Sequence, residues 1–211
     1  MRLIRLSVRN FKGIRKFDFT PGGQDADVYG DNGTGKTTLF DAYTWLLYGK
    51  DSTGRSDFEI KTLDSEGRPV HGLDHEVEGV FELDGGSSPG ITVTLRKVYR
   101  ERWTKQRGTA EKVLAGHTVD HYIDGVPVKK SEYDAYIAQF APEGRFRLLT
   151  DPGFFAGVLS WQERRKDLVE IAGGISDQDV IASDPELSDL PRLLGGRTPD
   201  QHRKVLLARR A

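Results

Sequence analysis

Cysteine is absent from the 211-residue chain, and that excludes disulfides, cysteine-held zinc and thiol nucleophiles at once. No apolar run approaches the roughly 18 residues that a membrane span needs. The first residues, MRLIRLSVRNF, interleave arginine with apolar side chains. They lack the continuous apolar core of a secretory signal, so a cytoplasmic setting is expected by default. An excess of charge of either sign is missing too: 31 basic against 32 acidic residues leave a net charge of −1. Bulk charge therefore supplies no general attraction to nucleic acid or anionic lipid, and any such binding has to come from local patches. What remains is ordinary globular material, 36% hydrophobic and 9% aromatic, enough for one sizeable domain or two small ones.

Glycine is plentiful, and it is concentrated where it carries chemistry. Residues 30–37 read GDNGTGKT, matching G-x-x-x-x-G-K-[ST], the phosphate-binding loop. Gly30, Gly33 and Gly35 remove side chains so that successive backbone N–H groups can turn inward around phosphate oxygens. Lys36 brings a mobile cation to the β- and γ-phosphates and is the candidate catalytic residue. The Thr37 hydroxyl is a candidate Mg²⁺ ligand, and the N-terminus of the following helix adds its positive end. The nucleotide-binding set is Gly30, Asp31, Asn32, Gly33, Thr34, Gly35, Lys36, Thr37 and Thr38, with ATP and Mg²⁺ as the implied cofactors. Residue frequencies give about one chance match per hundred chains of this length, so the pattern is specific.

Around the loop, LIRLSVRNF alternates apolar and polar residues at period two, FDFT reads as a second strand closed by Pro21-Gly22-Gly23, and ADVY as a third. Leu39, Tyr43, Leu46 and Leu47 then recur at helical spacing over about Lys36 to Tyr48. The middle, HEVEGVFELD, ITVTLRKVYRERW and GHTVDHYIDG, reads as antiparallel strands, with Asp124-Gly125 as a hairpin turn. A helix is expected from about Ser131, a strand at RFRLLT, and then helices at WQERRKDLVEI, closed by Gly173-Gly174, at SDQDVIAS, and from Thr198 and Pro199 onward. The last runs for only about three turns before the sequence ends.

The segments VRNFKGIRKFDF and VYGDNGTGKTTLFDAYTWLLYGKDS resemble the N-terminal lobe of SMC-like ATP-binding heads. This is the branch of ABC ATPases that includes SbcC, RecF and RecN, with SbcC-like AAA-type proteins of phage and mobile-element recombination genes as the nearest form. The resemblance is strongest over Leu3 to Asp51. It implies an α/β P-loop fold, a mixed sheet with an antiparallel sheet beside it: residues 1–150 as the ATP-binding lobe, 151–197 as a helical arm and 198–211 as the root of a coiled coil. It also implies that a C-terminal lobe supplies the signature loop and Walker B acids, that ATP closes two heads into a dimer and hydrolysis reopens it, and that a nuclease partner and DNA are the wider context. The segment LLGGR at Leu193 to Arg197 lacks the serine of a signature loop and reads as a turn. Residues carried over by the resemblance are Lys12 and Arg15 near the nucleotide, Asn32 in the loop, and Arg55 toward the γ-phosphate or across the dimer. The Q-loop departs from pattern: Asp151 stands at the loop position without an amide, and Gln162 lies too close to the helix that follows. A self-contained small-molecule kinase, or an ATP-gated binding module without turnover, are the competing readings.

Two further patterns carry expectations. Arg96, Lys97, Arg100, Arg102, Lys105 and Arg107 are interleaved with Tyr99 and Trp103. On a strand, Lys97, Tyr99, Trp103, Lys105 and Arg107 share a face that would suit DNA, against the plainer reading of a charged hairpin. The histidines at 71/75 and 117/121 stand four apart, a metal-binding spacing only on a helix, and both pairs fall in strand-like or turn-like sequence.

Overall fold

The computed structural model describes residues 1–85, 88–105, 112–151, 153–173 and 176–210. It divides into two compact units, Met1–Arg147 and Leu148–Ala211. The first is built on one six-stranded antiparallel sheet of β1 (Arg2–Phe11), β2 (Ile14–Phe19), β3 (His75–Gly85), β4 (Ser88–Lys105), β5 (Lys112–Ile123) and β6 (Val126–Val128). The strand order is β2-β1-β3-β4-β5-β6. The period-two alternation sets its faces. Leu6, Val8, Val77, Phe81, Val93 and Leu95 point into one core, where α1 (Lys36–Tyr48) buries Leu39, Ala42, Trp45, Leu46 and Leu47. Helix α2 (Lys130–Ala138) adds Tyr133 and Ile137 to the same core.

Gly79 on β3 marks where helix and sheet come closest. A Cβ there would lie 2.7 Å from Leu46 Cδ2 and 2.6 Å from the Phe81 ring. Glycine at this point lets α1 sit directly on the sheet. A Gly79→Val substitution is expected to cost about 2–3 kcal/mol through overpacking, read as a lowered urea midpoint with an unchanged slope.

The opposite face of the sheet is laced with ion pairs: Arg5 to Glu78 at 2.8 Å, Arg96 to Glu76 at 3.7 Å, and Arg100 to Asp74 and Asp120 at 3.0 and 2.9 Å. Arg96 also covers the Tyr122 ring at 4.2 Å.

Two element assignments differ from the sequence reading. Residues 26–29 are not a strand: they are unpaired, and Tyr29 is 86% exposed. Composition cannot make a strand without a neighbour to bond to, and among the described residues no strand pairs with this segment. RFRLLT is helical, within α3 (Glu143–Thr150). Pro142 and Glu143 favour a helix start. The helical turn then brings Phe146 to 5.8 Å from the Tyr43 ring and 5.2 Å from the Tyr48 ring.

The second unit holds α4 (Trp161–Ile171), α5 (Asp177–Ser183), α6 (Leu190–Leu194) and α7 (Pro199–Arg210). Its helix starts follow the sequence closely. Ser160 and Glu163 cap α4 reciprocally, Ser176 and Asp179 do the same for α5, and Thr198 and Gln201 for α7. LLGGR ends α6 with Leu193 and Leu194 and opens the turn to α7 at Gly195, left-handed at φ 55°. No helix among the described residues is long and apolar enough to cross a membrane.

Candidate nucleotide site

The loop of residues 30–35 leads straight into α1, whose N-cap is Gly35 in a left-handed conformation, φ 99°. No side chain caps this helix, so its first-turn N–H groups remain available to an anion. Gly30 is needed for space: a Cβ there would stand 2.8 Å from the Thr34 hydroxyl, which itself donates to the Asp31 carbonyl at 2.8 Å. In front of Gly33, φ 82°, a Cβ would meet nothing within 4 Å. The loop is thus closed on its own side and open on the other.

Lys36 Nζ donates to the Gly30 carbonyl and, at 2.7 Å, to the Asp31 carbonyl. The ammonium is folded back over the loop mouth, where an incoming phosphate would exchange for the two carbonyls. Asp31, Asn32 and Thr37 are exposed and Thr38 is half-buried. The donor set suits a magnesium polyphosphate: backbone N–H groups and one ammonium for phosphate oxygens, and a hydroxyl at the second helical position for the hard cation.

The resemblance-derived residues fall into place unevenly. Lys12, left-handed at φ 49°, sits in the β1–β2 turn and pairs with Asp41 of α1 at 2.6 Å while covering the Phe58 ring at 4.8 Å. Gly13-Ile14 brings the same turn against the loop, with Ile14 Cγ1 3.6 Å from a Cβ built at Gly35. Arg15 is exposed. Arg55 is held by Asp51, whose buried carboxylate accepts from the backbone of Thr53 and Arg55 and from Arg55 Nε at 2.9 Å. Burial alone would raise the Asp51 carboxyl, but bonds from Thr53 and Arg55 outweigh it and hold it at about 2. The pattern DSTGR repeats as DSEGR at 64–68, where Asp64 accepts from Glu66 N, Arg68 N and Arg68 Nε. In the second unit, Asp151 accepts from Gly153 N at 3.0 Å, and Gln162 is exposed in the first turn of α4.

Asp41 escaped the sequence reading. It is buried, takes Lys12 on one oxygen and Ser52 N on the other at 2.9 Å, and so joins α1 to both flanking turns. Its signal was an acid inside the apolar run FDAYTWLLY.

The basic-aromatic strip is not a continuous surface: Trp103 is 40% exposed, but Lys97 is buried and Tyr99 half-buried. Lys97 is 2% exposed, Tyr99 stacks on His117 at 4.9 Å, and Trp103 Nε1 donates to buried Glu101. Alternation holds up to a register shift at Arg102/Trp103, and at Lys97 this face of β4 is the one that α1 and α2 cover with Trp45 and Tyr133. The outward residues Arg96 and Arg100 are neutralised by Glu76 of β3, Asp120 of β5 and Asp74 just before β3. Arg107 lies outside the described residues, as does Gly174. His75, His117 and His121 stand on strands and His71 in a turn, where its Nδ1 meets Glu101 at 2.7 Å. Among the described residues no group of three or more His or acid side chains could hold a metal ion.

The model of the AAA domain family matches residues 5–194. The chain belongs to that family. Within it the chain is similar to the N-terminal region of SMC/RecF/SbcC-like ABC ATPase heads. It is 28% identical over 171 residues to the DNA replication and repair protein RecF of Chloroherpeton thalassium, covering 77% of this chain and 42% of that protein. It is 43% identical over 68 residues to the SbcC component of nuclease SbcCD of Treponema pallidum, covering 31% of this chain and 6% of the other. A chain solved in work on ATP-driven dimerization and DNA-stimulated activation of SMC ATPases shares the fold, with TM-score 0.55, 19% identity, and coverage of 81% of this AAA-domain chain and 99% of that one. The chain spans less than half the length of these curated relatives.

Proposed function

We propose that this AAA-domain chain is the ATP-binding half of an SMC/SbcC-like ATPase that works on DNA in recombination, repair or phage-related processing, in a cytoplasmic setting. The observation that carries the reading is the glycine loop at an uncapped helix N-terminus, with Lys36 folded across its mouth. Residues 30–38 hold the phosphates. Lys36 is the catalytic cation on the β- and γ-oxygens, and Asn32 orders the loop. Thr37 holds Mg²⁺, which when bound neutralises charge on those same oxygens. Lys12 serves the site beside Asp41, and Arg55 presents its guanidinium from a turn fixed by Asp51.

The roles in the assembly follow from what one lobe lacks. A C-terminal lobe supplies signature loop and Walker B acids, residues 151–197 form the arm and 198–211 begin a coiled coil. ATP binding brings two heads together and hydrolysis parts them, with a nuclease as partner. RecF and SbcC, named for DNA repair and nuclease work, support the DNA context.

The test is in two steps. The chain alone is expected to bind a fluorescent MgATP analogue, displaced by ATP, and to release no phosphate above background. Adding a polypeptide that carries the signature loop and Walker B acids should start phosphate release. Turnover by this chain alone would overturn the half-site assignment.

A further inference from the structure

Beneath the far end of α1 lies an amine that the nucleotide reading does not use. Lys97, on β4, is almost wholly buried, and its Nζ donates to the Trp45 carbonyl at 3.0 Å. It otherwise faces rings, 4.9 Å from the Tyr133 centroid and 5.9 Å from that of Trp45. Trp45 O is already the acceptor for Gly49 N, the bond that closes the helix. Gly49 is left-handed at φ 70°, and a Cβ on it would stand 3.8 Å from the lysine nitrogen. The next carbonyl, Leu46 O, accepts from Tyr133 Oη at 3.0 Å. Two consecutive carbonyls in the last turn of α1 are therefore gripped from outside, one by β4 and one by α2.

We propose that Lys97 is a positioning residue for the phosphate loop, an amine that fixes α1 by its last turn and so sets where its first turn meets a polyphosphate. The proposal rests on the nucleotide reading above. An α-helix of this length is a rigid rod, hydrogen-bonded throughout, so displacement at Trp45 is carried to Lys36. A core filler would not be an amine. Burying one with a single acceptor costs more than burying methionine, which fills the same volume, and the donor is what methionine lacks.

The surroundings make the grip sensitive to pH. Burial lowers the Lys97 amine to about 7, with Asp134 of α2 acting to raise it and Lys130 of α2 to lower it. His121 of β5 faces the same cluster, its ring 5.0 Å from Tyr133, and is lowered to about 4 by burial and then by Lys97. Once the last turn opens, Lys97 regains its ordinary value near 10.5, so the open state binds more protons between about pH 7 and 10.5. Protection of the closed turn then rises with pH across that window, up to tenfold per unit.

The absence of cysteine allows a clean test. Lys97→Cys can be alkylated in the unfolded state with bromoethylamine, which restores an amine at lysine length, or with bromoethane, which restores bulk alone. Both refolded proteins would be compared for MgATP affinity and for hydrogen exchange over residues 36–49. We expect the aminoethyl form to bind within about twofold of wild type and the ethyl form about tenfold more weakly, with exchange accelerated at both ends of α1. Equal affinity and equal exchange in the two forms would overturn the proposal. If the ethyl form does not refold, Lys97→Met takes its place: MgATP binding about tenfold weaker than wild type with exchange accelerated at both ends of α1 is expected, and wild-type affinity and exchange overturn the proposal. A wild-type chain that fails to bind MgATP sinks the nucleotide reading instead and leaves the exchange arm to judge Lys97.

Discussion

Replacing Lys36 by alanine is expected to weaken MgATP binding by about two orders of magnitude, equivalent to about 2.7 kcal/mol at room temperature, while leaving the fold intact. The size follows from a charge-assisted contact to phosphate in a site built of backbone donors. The selectivity follows from what Lys36 touches now: two carbonyls of its own loop, Gly30 and Asp31, both on an exposed segment. Removing the side chain strands no buried charge and opens no cavity. Isothermal titration with MgATP, paired with thermal unfolding, reads both halves. A Lys36→Ala protein that binds as tightly as wild type would remove the ground for the nucleotide site. Lys36→Arg should lie between, because the guanidinium keeps the charge but cannot fold into the same mouth.

Much of this site was legible in the linear chain because its constraints are local. A phosphate loop is defined by consecutive backbone groups, so GDNGTGKT declares itself, and the helix caps at Ser160, Ser176 and Thr198 are similarly written within four residues. What could not be read depends on neighbours. ADVY has the composition of a strand, yet pairs with no strand among the described residues. Lys97 and Tyr99 sit on the alternating face the sequence picked out, but alternation cannot say which face meets solvent, and burial withdrew Lys97 from the strip while leaving Trp103 exposed. Asp51 looks like an ordinary surface acid, and Asp41 is marked only by its place in an apolar run, until the fold brings Lys12, Ser52 and Arg55 to them. RFRLLT shows the same limit, since its helix is favoured by the contacts that Phe146 makes with Tyr43 and Tyr48.

The second large effect is expected at Glu101, a carboxylate almost wholly withdrawn from solvent on the inward face of β4. Its oxygens accept from Lys61 Nζ at 2.7 Å, from Gly72 N at 3.1 Å and from Trp103 Nε1 at 3.1 Å, and one meets His71 Nδ1 at 2.7 Å. These partners come from the irregular stretch 61–72 and from β4 itself, so a single acid clamps that loop to the sheet. Burial alone would raise its carboxyl, but the bonds from Lys61, His71 and Gly72 outweigh it and hold the group at about 2. Glu101→Leu leaves the Lys61 ammonium, 7% exposed, without its partner, at a cost of about 3–5 kcal/mol. The double variant Glu101→Leu/Lys61→Met should recover most of that loss, because the penalty lies in the stranded charge rather than in the missing pair. The pH dependence has a definite sign. The folded value lies below the ordinary 4.5, so the stabilisation is complete above about pH 4.5 and is lost as pH falls toward 2. Urea unfolding at pH 7 and pH 3 should therefore show wild type losing stability that Glu101→Gln does not lose. Equal losses in the two proteins would mean that the carboxylate is not what fastens the loop.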